Sequence, residues 1–221
     1  MNISRLLSVA PMMERTDRHC RYFFRLLSQQ TLLYSEMINA NAITKGNKTR
    51  LLNFSEIEHP LALQIGGSDP KLLAEATKIG VDWGYDEINL NVGCPSSRVS
   101  SGDFGAVLMK RKDHVAKCVD AMAQFSSNVP ISVKCRIAVD DQDPEKILPS
   151  FIKTVSNSGV SIFIIHARKA ILSGLSPKDN RKIPPIDYNL VKKIKTQFPQ
   201  LEICLNGEIK DLSAVMNFIN D

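Results

Sequence analysis

Seven runs rich in aliphatic and β-branched residues, at 6–13, 32–37, 60–66, 87–92, 131–137, 161–167 and 201–206, recur along the chain with amphipathic stretches between them. Several are nearly continuous in apolar residues, as in Ile162-Phe163-Ile164-Ile165, instead of alternating. Strands buried on both faces read this way, and parallel sheets covered by helices bury both faces. The intervening stretches carry helix start signals. Asp17 caps a helix running to about Ser28, and Asp69-Pro70 opens one over 71–79 with proline in the first turn. Asp113, Asp143-Pro144, Asp187 and Asp211 precede further helices, and Gly80, Gly159 and Pro199 close three of them. Residues 39–58, with Gly46, Asn47 and nearby basic residues, predict a long βα loop. Seven strand–helix units fit either a doubly wound open sheet or a (β/α)₈ barrel. A whole barrel takes about 250 residues, so on the second reading the chain is expected to be truncated before its eighth strand.

Composition narrows the class. Apolar residues make up 43% and charged residues 23% of 221, which is the balance of an ordinary globular chain. The net charge of +5 permits an anionic partner without demanding one. No run approaches the roughly 18 apolar residues of a membrane span, and the short apolar start gives way to Glu14-Arg15-Thr16-Asp17, which argues against a signal peptide. Cys20, Cys94, Cys118, Cys135 and Cys204 show no Cys-x-x-Cys spacing, so neither a disulfide scaffold nor a metal site is expected. The chain reads as a reduced, cytoplasmic α/β protein.

In either architecture ligands bind beyond the carboxyl ends of the strands, and those ends are polar here. The first run ends Ala10-Pro11-Met12-Met13, the third carries Gln64, and the fourth ends Asn89-Leu90-Asn91-Val92-Gly93-Cys94-Pro95. The fifth carries Lys134 and Arg136, the sixth ends His166-Ala167-Arg168, and the seventh ends Asn206-Gly207-Glu208. Cys94 stands out because Gly93 and Pro95 force a turn that brings its sulfur off the strand. The other cysteines read as small buried hydrophobes.

Lys134 and Arg136 share a face by the period of two. A lysine pointing inward meets an anion or electron-rich group, or shifts its pKa, unless its ammonium reaches solvent. His166 reads as a ligand contact or a satisfied core histidine, and Gln64 and Asn91 as ligand contacts or loop-pinning amides. Met12 and Met13 are apolar filler or the floor for a flat aromatic ligand. Gly207, between a strand and a helix, is a setting in which backbone N–H groups cradle phosphate. Neither a Walker sequence nor a Gly-x-Gly-x-x-Gly fingerprint is present. Residues 168–182 hold five cations against Asp179, which makes a solvated loop or a grip on a nucleic-acid backbone.

The string Tyr85-Asp86-Glu87-Ile88-Asn89-Leu90-Asn91-Val92-Gly93-Cys94-Pro95-Ser96 closely resembles tRNA-dihydrouridine synthases. So do Ala10-Pro11-Met12-Met13, Gln64-Ile65-Gly66-Gly67 and His166-Ala167-Arg168-Lys169-Ala170. The stretch from Gly174 to Arg181, followed by Ile183-Pro184-Pro185, looks like the bacterial A-type branch. The resemblance implies a flavin-binding TIM (β/α)₈ barrel over 1–221, incomplete at its C-terminus, with the family's helical tRNA-binding domain not included. It implies reduction of the C5=C6 bond of uridine at positions 20 and 20a of the tRNA D-loop, with FMN as cofactor and NADPH as reductant. A cytoplasmic monomer with tRNA as partner, and with no metal or membrane, is expected.

By the same resemblance Cys94 donates a proton to C5, and Pro11, Met12 and Met13 lie under the isoalloxazine. Gln64, Lys134 and His166 match flavin contacts, Asn206, Gly207 and Glu208 a phosphate-binding turn, and Asn91, Lys178 and Arg181 tRNA contacts. A protonated thiol suits that role, because hydride addition at C6 builds negative charge at C5. The uridine must leave the tRNA stack to reach the flavin. Two positions depart from the pattern: Glu208 stands where glycine is frequent, and Val107 where cysteine is common. From the residues alone, a barrel aldolase using Lys134 as a Schiff-base lysine, or an RNA-binding remnant using residues 168–182, are the alternatives.

Overall fold

The computed structural model describes residues 3–220. Its strands are β1 (Ser8–Val9), β2 (Leu32–Tyr34), β3 (Ile38–Asn39), β4 (Leu61–Gly66), β5 (Glu87–Val92), β6 (Ile131–Arg136), β7 (Ile162–His166) and β8 (Glu202–Asn206). They pair in the order β1-β2-β4-β5-β6-β7-β8, every pair parallel, with β3 extending the β4 edge through Ile38↔Ile65 and Asn39↔Gly66. Strands that neighbour in sequence order, each joined by a crossover, make the wall of a TIM-type barrel. Among the described residues β1 and β8 are its two rims and do not pair with each other. The sheet nevertheless curls back on itself. Arg5, just before β1, reaches Glu202 on β8 at 3.1 Å and Glu87 on β5 at 2.6 Å.

The helices are α1 (Arg18–Leu27), α2 (Ala40–Lys45), α3 (Lys48–Leu52), α4 (Pro70–Asp82), α5 (Ser97–Ser101), α6 (Lys112–Ala123), α7 (Pro144–Ser156), α8 (Tyr188–Gln197) and α9 (Leu212–Asn220). Asp17, Asp69, Asp143 and Asp187 are N-caps whose carboxylates accept first-turn N–H groups, as their positions predict. Asp211 caps α9 in the same manner, accepting from the Ala214 N–H at 2.8 Å. No helix among the described residues is long and apolar enough to cross a membrane.

Three local expectations change. Residues 39–58 are not an open loop: they hold β3's last residue, α2, α3 and a 3₁₀ turn, because Asn39 and Asn47 cap helices there. Asp113 is not a cap but lies in the first turn of α6 behind Arg111, where its charge meets the helix dipole. Gly80 does not end α4, which runs on to Asp82. It is needed for close packing, since a Cβ there would meet Leu63 Cδ2 at 2.7 Å and Ile88 Cδ1 at 2.8 Å.

The two faces of the wall carry different chemistry. Outward residues such as Leu63, Leu90, Val133 and Phe163 are fully buried against helix residues such as Leu73, Val119, Phe151 and Ile194. Each such side chain contributes roughly 1.5–3 kcal/mol by burial. Inside the wall, a small apolar cluster of Leu32, Tyr34 and Ala62 lies apart from that core, and Ile162 and Ile164 of β7 stand level with the inward Ser132 and Lys134. The remaining inward positions of β4, β5 and β6 are largely polar.

Candidate functional site

A ladder of side-chain hydrogen bonds climbs the inner wall toward the carboxyl ends of the strands. At its foot Glu87 is fully buried and receives the Tyr34 hydroxyl at 3.0 Å, Arg5 Nε at 2.8 Å and a close contact from Ser132. Above it Asn89 Nδ2 donates to Ser132 Oγ, and Gln64 Nε2 donates to Asn89 Oδ1, both at 2.7 Å. Asn91 Nδ2 then donates to Gln64 Oε1 at 2.9 Å. The period of two puts Glu87, Asn89 and Asn91 on one face of β5, so one strand supplies every second rung. Buried amides satisfied this fully are rigid.

The top rung aims the thiol. Asn91 Oδ1 accepts the main-chain N–H groups of Gly93 at 3.2 Å and Cys94 at 3.0 Å, the Asx turn that asparagine makes after a strand. Cys94 O accepts from Ala106 N–H at 2.9 Å, and Gly105, at φ +76, passes close enough that a Cβ would lie 2.7 Å from Cys94 O. The Cys94 side chain is half-buried, near enough to Lys134 and Arg136 to interact electrostatically with both.

Beside it lies a cationic cluster. Lys134 Nζ donates to Asn206 Oδ1 at 2.9 Å across β7, and burial, followed by Arg136, lowers its pKa to about 8. His166 is brought down to about 2, first by burial and then by Arg136, Lys134, Arg168 and Arg181, so its ring stays neutral. Gly207 adopts φ +119, and a Cβ there would meet His166 Cδ2 at 2.6 Å and Nε2 at 2.9 Å. Only glycine fits a turn that borders the imidazole this closely. Tyr188 OH holds the turn by donating to Gly207 O at 2.8 Å. Glu208, at φ +54, places its carboxylate in close contact with Arg168 and 2.8 Å from Lys210 Nζ. Arg168 is buried, and its Nε has no partner.

A cavity of about 1110 Å³ follows the open seam between β1 and β8 and reaches these strand ends, where Pro11, Lys134, Asn206, Gly207 and Glu208 line it. Met12 and Met13 are not among its lining residues and are exposed, 37% and 55%. Gln64 and Asn91 form the ladder below, and both polar atoms of the Asn91 amide are taken up within the protein. Lys178 and Arg181 are exposed on the segment between β7 and α8. That segment is not a loose solvated loop. Asn180 is fully buried and accepts Ile171 N–H at 2.7 Å while donating to Ile171 O at 2.9 Å. Sequence reasoning passed over the Arg5–Glu87 pair because its partners lie 82 positions apart, and over Asn180 because a polar residue in a cationic run gives no sign that it folds back on the carbonyls of its own segment. The polar alternation of β5 was the signal that an internal ladder existed.

Comparison with known proteins adds a family likeness to this geometry. The family model described as dihydrouridine synthase matches residues 8–221. A tRNA-dihydrouridine(20/20a) synthase of Synechocystis sp. is 56% identical over 214 residues, covering 97% of this chain and 64% of that protein. The protein of the same name from Escherichia coli K12 is 58% identical over 206 residues, covering 93% and 59%. The chain thus spans about three fifths of the length of these relatives. Among solved structures, morphinone reductase superposes with a TM-score of 0.65 at 10% identity, covering 97% of this chain and 79% of that one. An old yellow enzyme homologue from Zymomonas mobilis also gives 0.65, at 11% identity, covering 97% and 81%. At such identities the likeness is one of fold, and it agrees with a TIM-type barrel.

Proposed function

The chain belongs to the dihydrouridine synthase family, and from that premise we propose that it reduces the C5=C6 bond of uridine in the tRNA D-loop, at positions 20 and 20a. FMN is the cofactor and NADPH its reductant in this reading, and residues 1–221 act as the flavin-binding catalytic domain in the cytoplasm. The carrying observation is the meeting, at one end of the barrel, of a half-buried thiol whose turn is pinned by Asn91 with a buried cationic cluster around Lys134 and the Gly207 turn.

The residues present fit a phosphorylated flavin. Gly207 leaves open the space that a Cβ would close against His166, and Lys134 has ammonium hydrogens beyond the one given to Asn206. The orphaned Nε of buried Arg168 adds an unused donor. The Glu208 carboxylate beside this turn is neutralised by Arg168 and Lys210, which removes most of the repulsion an anion would meet there. Lys134, Gln64, His166 and the Asn206-Gly207 turn would hold the cofactor, with Pro11, Met12 and Met13 bordering its ring. When bound, FMN supplies the hydride that adds to uracil C6.

The chain's own groups do the rest. As negative charge builds at C5, the Cys94 S–H transfers its proton there, completing addition of two hydrogens across the double bond. Asn91 keeps the thiol on station, and Lys178 and Arg181 hold tRNA phosphates outside the mouth. The test is a visible spectrum of the purified chain together with a count of dihydrouridine in tRNA after incubation with NADPH. Bound oxidised flavin and new dihydrouridine are expected. A colourless protein trapped by borohydride on Lys134 with a carbonyl substrate would replace this reading with an aldolase.

A further inference from the structure

Arg136 is 3% exposed at the carboxyl end of β6, and among the described residues no carboxylate lies within 4.0 Å of it. All of its hydrogen bonds run to main-chain carbonyls. Nε donates to Gly93 O at 3.2 Å, while Nη1 donates to Asn180 O at 3.0 Å and to Lys169 O at 3.3 Å. Those carbonyls belong to three separate segments: the turn immediately before Cys94, the exit of β7, and the middle of the segment bearing Lys178 and Arg181. A buried guanidinium without a counter-charge is expensive, and its rigid fork of donors is suited to bridging several acceptors at once.

The segment it grips is braced internally and is anchored at its two ends, by Leu172 N–H to Asp140 Oδ1 at 2.8 Å and by Arg168 Nη1 to Lys182 O at 3.2 Å. The Asn180 side chain binds Ile171 O, Leu175 O and Ser176 O, and accepts Ile171 N–H. Ser176 Oγ in turn meets Asp179 Oδ2 at 2.6 Å and the Asp179 N–H at 3.1 Å. The middle of the segment is therefore cross-braced by its own side chains, and Arg136 is the direct tie between that middle and the Cys94 turn.

We propose that Arg136 is a positioning residue that couples the Cys94 turn to the Lys178–Arg181 segment, so that the proton donor is correctly placed only while that segment is docked. The proposal rests on the functional reading above for its purpose, but the coupling is a property of the protein alone and is measured without substrate. Docking of tRNA on Lys178 and Arg181 would then stiffen the turn that aims the thiol.

Two variants of the full chain test it. Arg136→Lys keeps the charge and loses the fork; Ser176→Ala loosens the segment from its exposed side, away from the core. In each, amide hydrogen exchange over 171–183 is read beside the rate at which iodoacetamide alkylates Cys94, with Cys20 as internal reference. Exchange in the segment is expected to rise by about tenfold or more, the scale of a lost charge-assisted hydrogen bond. Cys94 alkylation should change several-fold with it, while Cys20 keeps its rate. If the segment opens and Cys94 alkylation stays at the parent rate, the coupling does not exist. Unchanged exchange in both variants overturns it equally. Should Arg136→Lys fail to fold, judged by its melting transition, Ser176→Ala alone decides between coupling and its absence. A lack of dihydrouridine formation by the parent protein would instead count against the proposed activity and leave the alkylation result standing.

Discussion

Asn91 Oδ1 accepts the main-chain N–H of Cys94 at 3.0 Å while the same side chain donates to Gln64 at 2.9 Å. One asparagine thus joins the interior ladder to the turn that presents the thiol, and the aim of the sulfur follows from the register of β5. A side chain satisfied at both ends by the protein acts on substrate through Cys94 before it acts by touching it.

Replacing Cys94 with Ala leaves this scaffold intact. Flavin binding is expected to survive, and dihydrouridine formation to fall by about two to four orders of magnitude, the span of a lost general acid. Single-turnover kinetics with prereduced protein and tRNA measure it; parental rates in the variant remove Cys94 from the chemistry.

The double substitution of Lys178 and Arg181 by Ala removes two exposed cations without touching the buried Asn180 core of the segment. Binding of tRNA should weaken, with a shallower dependence on salt, because fewer counterions are released. NADPH oxidation in the absence of tRNA should be largely unchanged, and its collapse would show that the segment has another job.

Gly207→Ala forces a Cβ to within 2.6 Å of His166 at a φ of +119. Flavin titration should show affinity reduced by more than about tenfold, with roughly 1–3 kcal/mol of backbone strain appearing in denaturant unfolding. Undiminished flavin affinity would place the cofactor away from this turn.

His166 gives the stability a pH signature. Its pKa falls from 6.5 in the unfolded chain to about 2 in the fold, through burial and then the surrounding cations. Below about 6.5 the unfolded state binds a proton that the folded state refuses until about pH 2, so stability drops as pH falls through that window. The slope is at most about 1.4 kcal/mol per pH unit for one proton. Urea midpoints measured from pH 7 down to pH 4 should therefore fall less steeply in His166→Asn than in the parent; parallel curves would contradict the assignment.

Arg5→Met strips the partner from a fully buried Glu87. Loss of one member of a buried pair costs about 3–5 kcal/mol. Because Arg5 also reaches Glu202 on the far rim at 3.1 Å, the variant should in addition loosen exchange protection in β8. Destabilisation confined to less than about 1 kcal/mol, the scale of one ordinary hydrogen bond, would mean that Tyr34 and Ser132 satisfy Glu87 unaided.

Much of the barrel was legible because its strands are written twice, once as apolar continuity and once as alternation within the polar ones. β5 falls on 87–92 as expected, and β6 and β7 differ from expectation only at their ends. β1 is shorter than 6–13 because Pro11 carries no N–H and the chain turns at Met12, whose carbonyl takes Arg15 and Thr16 N–H. Residues 39–58 misled because asparagine signals loops and helix caps alike. What no pattern displays is pairing across the fold. Arg136 meets Gly93 from 43 positions away, and Arg5 meets Glu87 from 82. A strand's period places such side chains on the inner face without naming their partners.

Arg5 spans the gap between the two rims of the wall, reaching from just before β1 to Glu202 on β8 at 3.1 Å and to the buried Glu87 at 2.6 Å. The Glu202 carboxylate is open to solvent, so dissolved ions screen that half of the bridge and leave the Glu87 half largely untouched. Ionic strength therefore acts on how tightly the rims are drawn together and spares the packing of the core.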